Sequence, residues 1–212
     1  MTTRFIQRLL LWIGLGMLAY SGGTVAYGAI QQKYLSWIFH QKAGKPAGAL
    51  QLQEGGLVGK LEIPRVGISV MILQGTEEAT LTVGAGHVAG TPFPGAEGNV
   101  AIAAHRDTYF RNLKGIRTGD SIHFSTMQGS YDYVVDSTET VDPGNTRVLE
   151  SRARRELTLI TCYPFYFVGS APKRFIVHAR PAEPERKEMF KQGRQDTTNP
   201  ESLHDSAGRS SK

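Results

Sequence analysis

Cysteine occurs once in these 212 residues, at Cys162. That excludes an intrachain disulfide, a CxxC redox pair and a Cys-rich zinc site. A large excess of one charge is missing too: 24 Lys and Arg against 19 Asp and Glu leave a net charge of +5. The basic residues are scattered, with no aromatic-interleaved stripe, so nucleic acid is not an expected partner. Glu77, Glu78, Asp132, Asp136, Glu139 and Asp142 are dispersed like ordinary surface carboxylates, so neither a metal nor a cofactor is expected. No internal repeat is present. From Pro181 the chain has almost no apolar residues. Such a stretch cannot bury enough surface to offset ordering entropy, so a disordered polar tail is expected over 181–212.

One further absence is topological. No charge occurs in the 22 residues from Leu9 to Ile30. At about 1.5 Å per residue, a helix of that length spans a hydrocarbon core of about 30 Å. Arg4 and Arg8 precede the run, and Tyr20, Tyr27, Tyr34 and Trp37 lie toward its far end, where interfacial aromatics are expected. Ala26-Tyr27-Gly28 resembles a signal-peptide cleavage site, but the run exceeds a normal h-region, which favours an uncleaved signal anchor. The expected layout is a cytoplasmic terminus (1–8), a single-pass span (9–30), a linker with a short helix (31–54) and an extracytoplasmic domain (55–180) in the cell membrane.

Within that domain strand signals dominate. Leu57–Ile63 alternates and stops at Pro64; Ile68–Leu73 is a second apolar strand. Val100–Ala104 is short and built of small residues, as a strand buried on both faces would be. Ser121–Met127 and Tyr131–Val135 flank Gln128-Gly129-Ser130, a hairpin signal. Arg147–Leu149, Glu156–Cys162 and Arg174–Ala179 complete the expected strands. Helical signals are brief, at Leu81–Gly84 and Tyr109–Leu113. Many short strands with Gly/Pro turns point to an all-β barrel or sandwich.

Cys162 closes the strand Glu156–Cys162, because Tyr163-Pro164 cannot continue a central ladder. A lone cysteine is most often a small buried hydrophobe. Here it stands at the end of a rigid strand, before an aromatic loop, in an exported chain where an unpaired thiol needs a reason to persist. A thiol nucleophile needs a base and an anion stabiliser. His40 and His204 lie in the linker and tail, and His123 and His178 sit mid-strand. His105 ends the strand Val100–Ala104, and His87 sits in the Gly-rich turn Gly84–Thr91. Arg174, twelve residues after Cys162, opens the next strand and offers fixed charge and several donors.

Taken together, His105-Arg106-Asp107-Thr108, then Thr158-Leu159-Ile160-Thr161-Cys162, then Arg174 resemble the sortase family. The pentapeptide matches the TLxTC signature at every specified position. Gly86-His87, Gly98-Asn99, Gly119-Asp120 and Cys162-Tyr163-Pro164-Phe165 resemble its class D-like group, over roughly Gly56 to Ala179. The resemblance implies an eight-stranded β-barrel and a cysteine transpeptidase with hydrolase-class peptidase activity. It implies that Cys162 attacks a sorting motif similar to Leu-Pro-x-Thr-Gly, that a thioacyl enzyme forms, and that an amine resolves it. Its implied partners are a substrate protein with a C-terminal sorting signal, and a cell-wall or protein amine acceptor. It gives His105 the acid/base role and Arg174 the oxyanion or substrate backbone. His87 and Thr161 are expected to line or support substrate binding. Two other readings stay open: a cysteine peptidase on the same site, and an inactive membrane-tethered barrel that binds peptides.

Overall fold

The computed structural model describes residues 2–42, 53–150 and 154–182. Met1–Ala182 form one compact unit. The second, Glu183–Lys212, lies outside the described residues, as do Gly44-Lys45-Pro46 and His204; of the expected tail only Ala182 and Pro181, which ends the last strand, are described.

Apolar residues alternate along the strand segments, so each strand has one face to bury and cannot bury it alone. The strands are β1 (Leu57–Ile63), β2 (Ile68–Gln74), β3 (Ala85–His87), β4 (Asn99–Ala103), β5 (Ser121–Thr126), β6 (Ser130–Val141), β7 (Glu156–Tyr163) and β8 (Lys173–Pro181). They close into one barrel in the order β1-β2-β3-β4-β7-β8-β6-β5. The eight-stranded barrel expected from the resemblance is the fold observed. Only β2–β3 and β4–β7 pair in parallel. Each parallel pair needs a crossover. A helix, α2 (Glu78–Val83), supplies the first, and the β5–β6 hairpin lies within the second. Inside, Leu61, Ile72, Ile102, Phe124, Leu157 and Leu159 are completely buried. Each such side chain stabilises the fold by roughly 1.5–3 kcal/mol.

The long N-terminal helix, α1 (Thr2–Lys42), is 41 residues, about 60 Å. Its segment Arg4–Gln41 is long and apolar enough to cross a membrane, by length and composition. Leu10, Leu11, Trp12 and Leu18 on it are exposed.

Four local expectations change. Lys33–Lys42 is not a separate short helix but the continuation of α1, because no breaker interrupts it. Arg147–Leu149 is not a strand but part of a 3-10 turn, Thr146–Leu149. The Asn145 side chain accepts a hydrogen bond from Arg147 N at 3.1 Å, and that local bond competes with strand pairing. The Gly84–Thr91 turn contains β3, because Gly86 lets the Gly75 carbonyl approach where a β-carbon would collide. Tyr109–Leu113 gives way to a 3-10 helix, Arg111–Gly115.

Candidate functional site

The alternation in β7 sorts its side chains. Leu157, Leu159 and Thr161 point into the barrel and are buried; Ile160 and Cys162 face out and are half-buried. β8 runs antiparallel beside it, with Cys162 paired to Arg174 and Ile160 to Ile176. Directly opposed residues hold their β-carbons about 5 Å apart on one face. Thiol and guanidinium therefore start from neighbouring positions. On the other side β4 runs parallel to β7, with Ala103 opposite Ile160. Ala104 N extends that ladder to Ile160 O at 3.1 Å, so the next residue, His105, comes level with Cys162. Thr161 Oγ1 donates to Ala104 O at 2.8 Å and staples the two strand ends together.

Cys162, His105 and Arg174 border one open cleft of about 380 Å³. Its walls are apolar: Leu81 from α2, Val88, Val141, and Val148 and Leu149 from the 3-10 turn. His105 is one-third exposed, with Nε2 3.6 Å from Glu78 Oε1. Arg174 Nη1 donates to Lys173 O at 3.2 Å, with Ala171 O at 3.5 Å. Its guanidinium thus meets backbone carbonyls while it borders the cleft. Thr161 also borders the cleft, although its hydroxyl is spent on Ala104.

His87 lies elsewhere. It is buried, its Nδ1 is 2.9 Å from Gln74 Oε1, and its Nε2 is 2.9 Å from Pro92 O. Its ring stacks on Phe93 with centroids 4.6 Å apart. Burial pushes its pKa below the ordinary imidazole value, and the Pro92 carbonyl opposes that only partly. In this geometry His87 holds the Gly90–Phe93 turn and does not border the cleft. His123 and His178 pair with Asp132 and Glu139, 2.6 and 2.9 Å away.

Two supporting groups, both within the motifs quoted above, had no role assigned from sequence. Arg106 sends its guanidinium to three carbonyls of the loop after Cys162: Pro164 O at 3.1 Å, Phe167 O at 2.9 Å and Gly169 O at 3.0 Å. It thereby ties the turn carrying His105 to the loop that leaves Cys162. Asn99, 2% exposed, donates Nδ2 to Val148 O at 2.8 Å and accepts at Oδ1 from Thr158 Oγ1 at 2.8 Å. It fastens the cleft wall to the barrel. A lone polar residue opening the run Asn99-Val100-Ala101-Ile102-Ala103 was the available signal. Among the described residues, no group of three or more His, Cys, Asp or Glu could hold a metal ion.

Fold and cleft together define a class: a closed β-barrel presenting a lone thiol, an imidazole and a guanidinium around one apolar groove. Comparison with known proteins supplies the family. The sortase domain model matches residues 61–182. The chain is 33% identical over 137 residues to Sortase D of Bacillus subtilis, covering 64% of this chain and 69% of that protein. It is 29% identical to Sortase A of Listeria monocytogenes, over 54% of this chain and 53% of that one. Among solved structures, a sortase D5 transpeptidase of Clostridium perfringens superposes with a TM-score of 0.63. At 24% identity, over 72% of this chain and 99% of that one, this is a likeness of fold. Sortase C-1 of Actinomyces oris gives a TM-score of 0.55 at 29% identity, over 59% of this chain and 73% of that one. The chain belongs to the sortase family. Its class is that of the cysteine transpeptidases, which act on protein substrates bearing sorting signals and on amine acceptors.

Proposed function

We propose that this chain is a membrane-anchored transpeptidase that uses Cys162 as nucleophile, His105 as acid/base and Arg174 as oxyanion or substrate-backbone donor. The observation that carries this reading is the convergence of β4, β7 and β8, which brings these three residues level around one cleft. The Cys162 thiolate attacks the Thr carbonyl carbon of a Leu-Pro-x-Thr-Gly-like motif. The carbonyl oxygen gains charge beside Arg174, whose guanidinium offers several fixed donors. The Thr–Gly C–N bond breaks, and the leaving amine takes its proton from the His105 imidazolium. The result is a thioester on Cys162 and a free C-terminal fragment.

An incoming amine then attacks the thioester carbonyl and gives a proton to His105; the sulfur leaves as thiolate. The apolar walls suit the Leu-Pro portion of the motif, and the open groove suits an extended chain. His87 supports the site indirectly, by holding the turn behind Val88. The uncharged run in α1 crosses the bilayer once, with residues 1–8 cytoplasmic and the barrel outside.

The test is product analysis of the full chain in detergent with an LPxTG-like peptide, with and without added triglycine. The expected result is a new amide between the Thr carbonyl and the added amine, at the expense of hydrolysed peptide. Identical hydrolytic products under both conditions would make the enzyme a peptidase instead.

A further inference from the structure

Followed toward the bilayer, α1 steps around the barrel in a fixed order. Ser36 borders a shallow pocket with Lys60 of β1 and Ser69 of β2. One turn lower, Gln32 accepts at Oε1 from Met71 N of β2 at 3.0 Å and donates Nε2 to Val83 O of α2. Another turn lower, Gly28 is buried: a β-carbon there would come 3.4 Å from Tyr109 Oη and 3.6 Å from Thr82 O. Tyr109, in the segment after β4, itself donates to Thr82 O at 3.1 Å. The sequence of contacts is β1, β2, α2, then the segment that follows β4. In the barrel order the next strands are β7 and β8.

Gly28 falls inside the uncharged run Leu9–Ile30, two residues, or about 3 Å, from its end. The barrel therefore meets α1 at the bilayer surface. Beyond the Tyr109 contact lies the β7–β8 loop, tied to the same post-β4 segment by Arg106. Its tip is apolar and open to solvent: Tyr166 is 74% exposed, Phe167 46% and Val168 100%. Among the described residues these are the large apolar side chains most exposed outside α1. Lys114 hydrogen-bonds the Tyr166 hydroxyl and lies 4.9 Å from its ring centroid, and Arg106 stands 5.8 Å from the Phe167 centroid. Aromatic rings beside cationic side chains are suited to the boundary between anionic headgroups and acyl chains.

We propose that the loop tip Tyr166-Phe167-Val168 seats in the interfacial layer of the bilayer that α1 crosses, with Lys114 against anionic headgroups. The proposal rests on α1 spanning the membrane. It makes the barrel two-point anchored, by α1 on one side and by this loop on the other, with the Cys162 end of β7 held at the surface between them.

The test uses the full chain with Cys162→Ala, which removes the native thiol. Single cysteines are placed by Leu15→Cys in the span, Val168→Cys at the tip, and Gln128→Cys in the β5–β6 turn, on the far side of the barrel. Each is nitroxide-labelled in phosphatidylcholine–phosphatidylglycerol vesicles. Collisions with oxygen, which partitions into lipid, are compared with those of a water-soluble nickel chelate. The expected order of lipid exposure is Leu15, then Val168, then Gln128. A Val168 label as open to nickel as the Gln128 label, with the Leu15 label protected, overturns the loop proposal and leaves the span standing. A nickel-accessible Leu15 label overturns both.

Discussion

Asn99→Ala removes the tie between the barrel and the wall of the cleft. Two hydrogen bonds disappear, Nδ2 to Val148 O and Thr158 Oγ1 to Oδ1, both 2.8 Å. Each is worth about 1 kcal/mol net. Thr158 is completely buried, and its other neighbour, His178 Nδ1, lies at the limiting distance of 3.5 Å. Its stranded hydroxyl adds up to about 1 kcal/mol more, for a total of roughly 2–3 kcal/mol. For a domain of this size that lowers Tm by roughly 8–12 °C. The readout is a circular-dichroism melt of the full chain in detergent. Because Val148 and Leu149 border the cleft, KM for an LPxTG-like peptide should rise several-fold while kcat changes less. The double variant Asn99→Ala/Thr158→Val has no stranded hydroxyl and should recover about 1 kcal/mol of the loss. A single-variant melt within about 2 °C of wild type would refute the reasoning.

Arg174→Lys should lower kcat for peptide cleavage by about 10²-fold, because an ammonium keeps the charge but not the planar fork of donors. An unchanged rate would remove Arg174 from the site. The depressed pKa of His87 fixes the sign of one pH effect. The folded state holds the ring neutral while the unfolded chain binds a proton below about 6.5, so stability is full above that value and falls as pH drops through it. Urea midpoints should fall between pH 7.5 and 5.5 more steeply in wild type than in His87→Asn; equal slopes would contradict the burial argument.

Residue order carried much of this architecture into view. The period-two alternation in Leu57–Ile63 and Glu156–Cys162 was enough to find β1 and β7 and to put Thr161 and Cys162 on opposite faces. The parallel pairings were not legible, because β3 is three residues long and its Gly-Ala composition reads as a turn. Nor was the 3-10 turn at Thr146–Leu149, where one side-chain bond from Asn145 outweighs a run that otherwise looks like a strand. Cys162, His105 and Arg174 stood out by residue type and position at strand ends, but their closeness depends on a β4–β7–β8 order that the sequence does not state. The roles of Arg106 and Asn99 stayed hidden for a related reason. Arg106 bonds backbone carbonyls about 60 residues away and Asn99 one that is 49 residues away, and a carbonyl leaves no mark in the sequence.

The role of Cys162 is open to one direct measurement. The full chain in detergent, mixed with an LPxTG-like peptide and quenched in acid within one turnover, is weighed intact by mass spectrometry. Acylation of Cys162 predicts a species heavier by the peptide's N-terminal portion through Thr, absent from Cys162→Ala and discharged by hydroxylamine as the Thr hydroxamate. The same adduct on Cys162→Ala, or peptide cleavage by that variant at the wild-type rate, would contradict a thioacyl intermediate at this residue.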